Sequence, residues 1–344
     1  MANPVPTIRS VAADARQSAP AVIEVQHVEH RYGERVALAG VSFEVRRAEI
    51  FGLLGPNGSG KTTLFRILTT LMLPSGGRAL IAGFDPAREP NRVRREIGIV
   101  FQAQSVDVKL TAAENLTHQG HFYGLHGKAL KLRVREMLSR VALADRANEL
   151  VETFSGGMLR RVELAKGLLH HPSVLLLDEP TTGLDPGARR DLWQYLKILR
   201  DEEGISVLVT THLMEEAEHC DRLAILSEGK LVGLGTPAEL RAEIGGDVIV
   251  LEPERDAEDL ARRISARFAV QASAIDGKVR LERAQGHRFV TDVMEAFPGE
   301  IQAISVAKPT LEDVFIDRTG HRFWAEESQK EEAGNKKEEV RRKK

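Results

Sequence analysis

Unbroken apolar runs alternate with helix-spaced stretches along this chain. Ile50-Phe51-Gly52-Leu53-Leu54 and Val174-Leu175-Leu176-Leu177 carry no polar side chain, the pattern of strands covered on both faces in a parallel sheet. The first run passes into glycines and then into a helix beginning near Lys61; the second ends in Asp178-Glu179. Between Gln102 and Ser155 the spacing turns helical, as in Leu110 to Leu116 and Leu130 to Leu143, which predicts a helical subdomain over about 103–170.

The character shifts again after Leu240. Gly245-Gly246 precedes a strand-like Val248 to Leu251, a helix-like Ala257 to Phe268, a strand at Val279 to Leu281, a helix from Gly286 to Phe297 and a strand from Ile301 to Val306. Such an order predicts a small α+β domain of ferredoxin-like type. Thr310, followed by Glu312 and Asp313, reads as the cap of a closing helix. The expected layout is therefore an N-terminal arm over 1–20, an α/β domain over 21–243, a second domain over 247–320 and a charged tail over 325–344. With one apolar branched side chain, Val340, that tail cannot bury enough surface to order itself.

The glycine loop itself is Gly55-Pro56-Asn57-Gly58-Ser59-Gly60-Lys61-Thr62. Strand, loop and helix are the context a phosphate-binding loop requires. Glycines let consecutive backbone N–H groups close around a polyphosphate, and the helix N-terminus adds its positive dipole end. Lys61 reaches the β- and γ-phosphates, the Thr62 hydroxyl is placed for Mg²⁺, and Thr63 supports it. Asp178, closing its strand, is the second candidate for Mg²⁺. Glu179 turns to the opposite side and is placed to polarise a water attacking the γ-phosphate.

Further motifs follow in order: Phe154-Ser155-Gly156-Gly157-Met158, then Gly183-Leu184-Asp185-Pro186, then His212. Together with the loop they resemble the ATP-binding subunit of an ABC transporter, over about Ala21 to Leu240. The resemblance implies a P-loop NTPase core of ABC type that binds and hydrolyses ATP with Mg²⁺. It implies that Tyr32 stacks on adenine and that Gln102 links the metal site, as a metal ligand, to a membrane subunit docked on the helical stretch. It implies that Ser155, Gly156 and Gly157 contact ATP held by a partner, that Asp185 crosses the dimer interface, and that His212 senses the γ-phosphate. The implied assembly is a head-to-tail dimer, each site combining one copy's Lys61 with the other's Ser155.

Phenylalanine at 154 and methionine at 158 depart from the commonest signature, which has leucine and glutamine there. Phe-Ser-Gly-Gly-Met is similar to exporters of the antibiotic-resistance type, as in daunorubicin and doxorubicin export, and to nodulation-type exporters. Pro309-Thr310-Leu311-Glu312-Asp313-Val314-Phe315 is similar to the closing motif of the antibiotic-type subgroup. The resemblance thus implies export of a drug-like or lipophilic cargo through a separate permease, on the cytoplasmic face of the membrane.

Composition narrows the alternatives. No stretch approaches the roughly 18 apolar residues of a spanning helix, and the N-terminus lacks the apolar core of a secretory signal. A net charge of −2 argues against broad electrostatic binding to nucleic acid, and no nucleic-acid partner is expected. The single cysteine, Cys220, rules out an internal disulfide and suits a reducing cytoplasm. His118, His121 and His126 lack the cysteine or paired carboxylate that would complete a metal shell. The catalytic motifs would equally serve an importer, or a soluble ATPase acting on ribosomes or nucleic acid. Relatives of the latter kind usually carry two such domains, zinc modules or long coiled coils, none of which appears here.

Overall fold

The computed structural model describes residues 20–321 and residue 323; most of the expected N-terminal arm and the charged tail lie outside the described residues. The path opens with β1 (Ala21–Tyr32), β2 (Arg35–Arg46), β3 (Ile50–Leu54), α1 (Lys61–Leu68), β4 (Gly76–Ile81), α2 (Pro90–Glu96) and β5 (Ile97–Val100). The helical stretch follows as α3 (Ala112–Phe122), α4 (Gly127–Arg140) and α5 (Gly156–Leu168). Then come β6 (Val174–Asp178), α6 (Pro186–Glu203), β7 (Ser206–Thr211), α7 (Met214–Ala217), β8 (Arg222–Ser227) and β9 (Lys230–Gly235).

Six strands form one sheet in the order β5-β6-β7-β3-β8-β9, and β2-β1-β4 form a smaller antiparallel one. Within the larger sheet β5, β6, β7, β3 and β8 pair in parallel. The apolar runs explain why. Val174 and Leu176 pack with Phe51, Leu53 and Leu208, whereas Leu175 and Leu177 pack with Ile50, Val207 and Val209 on the opposite face. A strand that buries both faces must be apolar at every position. Parallel pairing also brings the carboxyl ends of β3, β6 and β7 to one edge, where ligands of open α/β sheets bind.

Helix starts are fixed by side chains. Thr111 forms a capping box with Glu114 ahead of α3; Ser155 caps α5 and Asp185 caps α6, where Pro186 follows.

The chain divides into two compact units, one up to Leu231 and one from Val232. The division falls ahead of the Gly245-Gly246 step at which the sequence pattern changes. The reason is α8 (Pro237–Ala242), which packs on the last helix of the second unit, while Glu243 pairs with Arg318. That unit continues through β10 (Asp247–Pro253), α9 (Ala257–Phe268), β11 (Ala272–Ile275), β12 (Lys278–Arg283), α10 (Gly286–Ala296), β13 (Ile301–Ala307) and α11 (Leu311–Thr319). Its antiparallel sheet has the order β11-β12-β10-β13, the βαββαβ arrangement of a ferredoxin-like fold. Strand β11, absent from the sequence reading, has no fully buried residue; its periodicity signal is correspondingly weak. Thr310 does cap α11, in a capping box with Asp313.

Candidate active site

Gly60 makes the loop possible. Its φ of +105° is left-handed, and a Cβ there would stand 2.6 Å from the Ala37 carbonyl oxygen, so only glycine fits. No side chain caps the N-terminus of α1, whose first N–H groups have no partners within the helix. The Ser59 Oγ is buried and makes no hydrogen bond among the described residues. Beside the loop lies a cleft of about 200 Å³, lined by Tyr32, Arg35, Asn57, Gly58 and Lys61 to Thr63. The Tyr32 hydroxyl lies 3.4 Å from Thr63 Oγ1, and the residue is 45% exposed. An aromatic ring that is half open at the mouth of a cationic, donor-lined cleft suits an aromatic base with a polyphosphate.

Lys61 is buried, and its Nζ donates to the carbonyl oxygens of Gly55 at 2.6 Å and Pro56 at 3.0 Å. The same ammonium stands 4.0 Å from Glu179 Oε1. Glu179 is thereby the meeting point of the predicted residues: Gln102 Nε2 donates to its Oε2 at 3.2 Å, and His212 Nδ1 is 3.1 Å from that same oxygen. Burial raises the Glu179 pKa, but the hydrogen bond and charge of His212 and the charge of Lys61 outweigh it and hold the carboxyl below its ordinary value. Its backbone has a φ of +44°, an uncommon conformation for a residue with a Cβ.

Its neighbour behaves oppositely. Burial raises the Asp178 pKa, the Thr210 hydrogen bond opposes this, and the adjacent Glu179 charge adds to it. A divalent cation would relieve that cost; the Asp178 carboxylate, the exposed Thr62 hydroxyl and the Gln102 amide oxygen are each the kind of hard donor such a cation takes.

Ser155, Gly156 and Gly157 form a separate cluster with Asp185. Ser155 Oγ accepts from the Met158 N–H at 3.4 Å, and Asp185 accepts from Gly187 and Ala188 N–H at 2.9 and 3.0 Å. A Cβ on Gly157 would stand 2.9 Å from that of Ala188, so the signature glycine is what allows α5 and α6 to meet closely. The two unusual signature residues share a neighbour: the Arg146 guanidinium lies 5.0 Å over the Phe154 ring and 3.1 Å from Met158 Sδ, and is braced by Glu149 at 2.5 Å.

Sequence reasoning missed the threonines beneath the site. Thr210 Oγ1 donates to Asp178 Oδ1, and Thr181 and Thr211 both donate to the buried Glu216. The available signal was the apolar run Val207 to Val209 ending in two hydroxyls beside the strand that ends in Asp178. Among the described residues no group of three or more His, Cys, Asp or Glu side chains is placed to hold a metal ion; His121 and His126 stack at 5.3 Å.

The profile of the ABC transporter family matches residues 38–182, and that of the C-terminal domain of DrrA1-3-like ATP-binding proteins matches residues 235–319. The chain is similar to the daunorubicin resistance ATP-binding protein DrrA3 of Streptomyces coeruleorubidus, with 39% identity over 313 residues, covering 88% of this chain and 97% of that one. It is 36% identical over 308 residues to the linearmycin resistance ATP-binding protein LnrL of Bacillus subtilis, covering 87% and 98%. Among solved structures it is similar to the dimeric post-hydrolysis state of the ATP-binding cassette MJ0796 bound to ADP and Pi, with a TM-score of 0.56 and 29% identity over 62% of this chain and 98% of that one. The chain belongs to the ATP-binding subunits of ABC transporters, in the group of drug-resistance ATP-binding proteins. It is a transport ATPase that binds ATP. Among the described residues no helix is long and apolar enough to cross a membrane.

Proposed function

We propose that this protein powers export of a drug-like or lipophilic molecule through a separate membrane permease, docked at the cytoplasmic face. The observation that carries the catalytic part is the convergence of Gln102, His212 and Lys61 on the single carboxylate of Glu179. The ATPase module is the unit up to Leu231, and the unit from Val232 is a separate domain.

In this reading Tyr32 stacks on adenine and the loop from Gly55 to Thr63 wraps the phosphates. Lys61 exchanges the carbonyls of Gly55 and Pro56 for the β- and γ-phosphates. Held ionised below its ordinary pKa, Glu179 orients the attacking water and accepts its proton. His212 fixes the carboxylate and the γ-phosphate relative to one another. Mg²⁺, with Thr62, Gln102 and Asp178 as the residues that fit it, would neutralise phosphate charge when bound.

One chain offers a P-loop and, elsewhere, a helix N-terminus capped by Ser155; a single nucleotide bound to one copy cannot use both. A head-to-tail dimer solves this, with Ser155, Gly156 and Gly157 of one copy facing ATP on the loop of the other and Asp185 at the seam. The resistance functions in the relatives' names support export over import, and the near-neutral charge supports a membrane partner over nucleic acid.

The test is purification of the Glu179→Gln form in mild detergent from its own cells, followed by mass spectrometry. A stoichiometric polytopic membrane protein is expected. Ribosomal proteins or nucleic acid in its place would overturn the transporter reading.

A further inference from the structure

One buried carboxylate has no part in the reaction as written above. Glu216, on α7, is 2% exposed. Thr181 Oγ1 donates to its Oε1, and Thr211 Oγ1 donates to its Oε2 at 2.6 Å. Thr211 Oγ1 in turn accepts from the Leu213 N–H at 3.0 Å. Thr181 comes from the turn after β6, whereas Thr211 is the last residue of β7. Thr181 follows shortly after Glu179, and Thr211 immediately precedes His212; both are 1% exposed. A third neighbour, Arg189, brings its Nε to 4.0 Å from Glu216 Oε1, and that nitrogen is buried without a hydrogen bond among the described residues. Arg189 lies in the first turn of α6, its N–H bonded to the carbonyl of the capping residue Asp185 at 3.0 Å.

A buried carboxylate held by two neutral hydroxyls, with its cation outside hydrogen-bond range, is a poor stabilising device. Desolvating the charge is costly, and apolar side chains of similar size would fill the same space more cheaply. What the arrangement does provide is a fixed distance between two loops. Because each oxygen of one rigid carboxylate takes one hydroxyl, the loop bearing Glu179 and the loop bearing His212 cannot separate without breaking a buried hydrogen bond.

We propose that Glu216 is a positioning residue for hydrolysis: it sets the spacing of Glu179 and His212, with the Arg189 guanidinium beside its Oε1. The inference rests on the hydrolytic reading of Glu179 given above. It links Arg189 on α6 to the Glu179–His212 pair through a side chain that is almost wholly buried.

The discriminating variant is Glu216→Gln, which preserves shape but replaces one acceptor oxygen by a donor, so that the two hydroxyls can no longer both donate. Expected are a Tm within a few degrees of the parent, a KM for ATP changed by less than about threefold, and a kcat lower by about tenfold or more. Arg189→Ala, on a partly exposed residue, should lower kcat in the same sense by a smaller factor, again without a matching rise in KM. A Glu216→Gln enzyme with parental kcat overturns the proposal, and so does a fall in kcat matched by equal losses of ATP affinity and Tm. The underlying reading fails separately: if Glu179→Gln turns over normally, the hydrolytic assignment is wrong, whereas an inactive Glu179→Gln beside a parental Glu216→Gln removes only the positioning role.

Discussion

Thr210 and Asp178 stand opposite one another on neighbouring parallel strands, and the Thr210 hydroxyl donates to Asp178 Oδ1 at 2.5 Å. The same hydroxyl accepts the Glu179 N–H at 3.0 Å, so one side chain fixes two consecutive acidic residues whose surroundings push their pKa values apart. Thr210→Val keeps the shape and removes both bonds. It should cost about 1–3 kcal/mol, the usual penalty for a buried partner left unsatisfied, whereas Thr210→Ser should cost less. Urea midpoints for the two variants check this, and a neutral Thr210→Val would show that the hydroxyl supports neither group.

The Asp178–Glu179 pair should give the nucleotide-free protein a pH dependence of definite sign. Asp178, raised above its ordinary 3.8, contributes stability that is full below that value and lost as pH rises through its folded pKa. Glu179, lowered from 4.5, contributes stability present above that value and lost as pH falls through its folded pKa. Asp178→Asn should therefore remove a penalty near neutral pH and leave the nucleotide-free Tm equal or higher. The further rise in Tm when Mg²⁺ is added with ATP should shrink. A lower nucleotide-free Tm at pH 7 that recovers fully with Mg²⁺ and ATP would contradict the account.

Gly157 and Ala188 form a close helix contact with a specific consequence. Adding a methyl group at 157 places it 2.9 Å from the Ala188 Cβ, so Gly157→Ala should cost about 1–3 kcal/mol as an overpacked substitution. Ala188→Gly in the same chain should recover part of that loss. Thermal melts of the single and double variants test the coupling, which is absent if their effects add.

Arg146 ties Phe154 to Met158 by a cation–π contact and a sulfur contact. At a site this exposed such a contact is weak. Arg146→Ala should weaken ATP-dependent dimerisation by roughly two- to fivefold and leave binding of ATP to the monomer unchanged. Sedimentation with ATP and without it distinguishes the two, and equal losses in both would assign Arg146 to general folding.

The catalytic edge was legible in the sequence because it is built from local grammar. A strand without polar residues, glycines, a lysine and a hydroxyl specify a phosphate loop wherever they occur, and Asp178-Glu179 follows the same rule. Convergence on Glu179 was not legible from the residues alone, because Gln102, Lys61 and His212 come from separate crossovers and only strand order brings them together. The resemblance to ABC subunits supplied that grouping. Thr181, Thr211 and Glu216 escaped notice because short hydroxyl side chains and one glutamate in an acidic run carry no periodicity, although all are buried. In the second domain the strong strands and helices could be read off their apolar spacing, while β11 could not, since its packing rather than its pattern makes it a strand.

Glu179 is the residue proposed to activate the water that attacks ATP. The most direct test is the steady-state ATPase rate of Glu179→Gln measured beside its affinity for ATP and its oligomeric state. The account predicts a kcat lower by about a hundredfold or more, nearly unchanged nucleotide binding, and a dimer that persists in ATP. Turnover within a few-fold of the parent would contradict it.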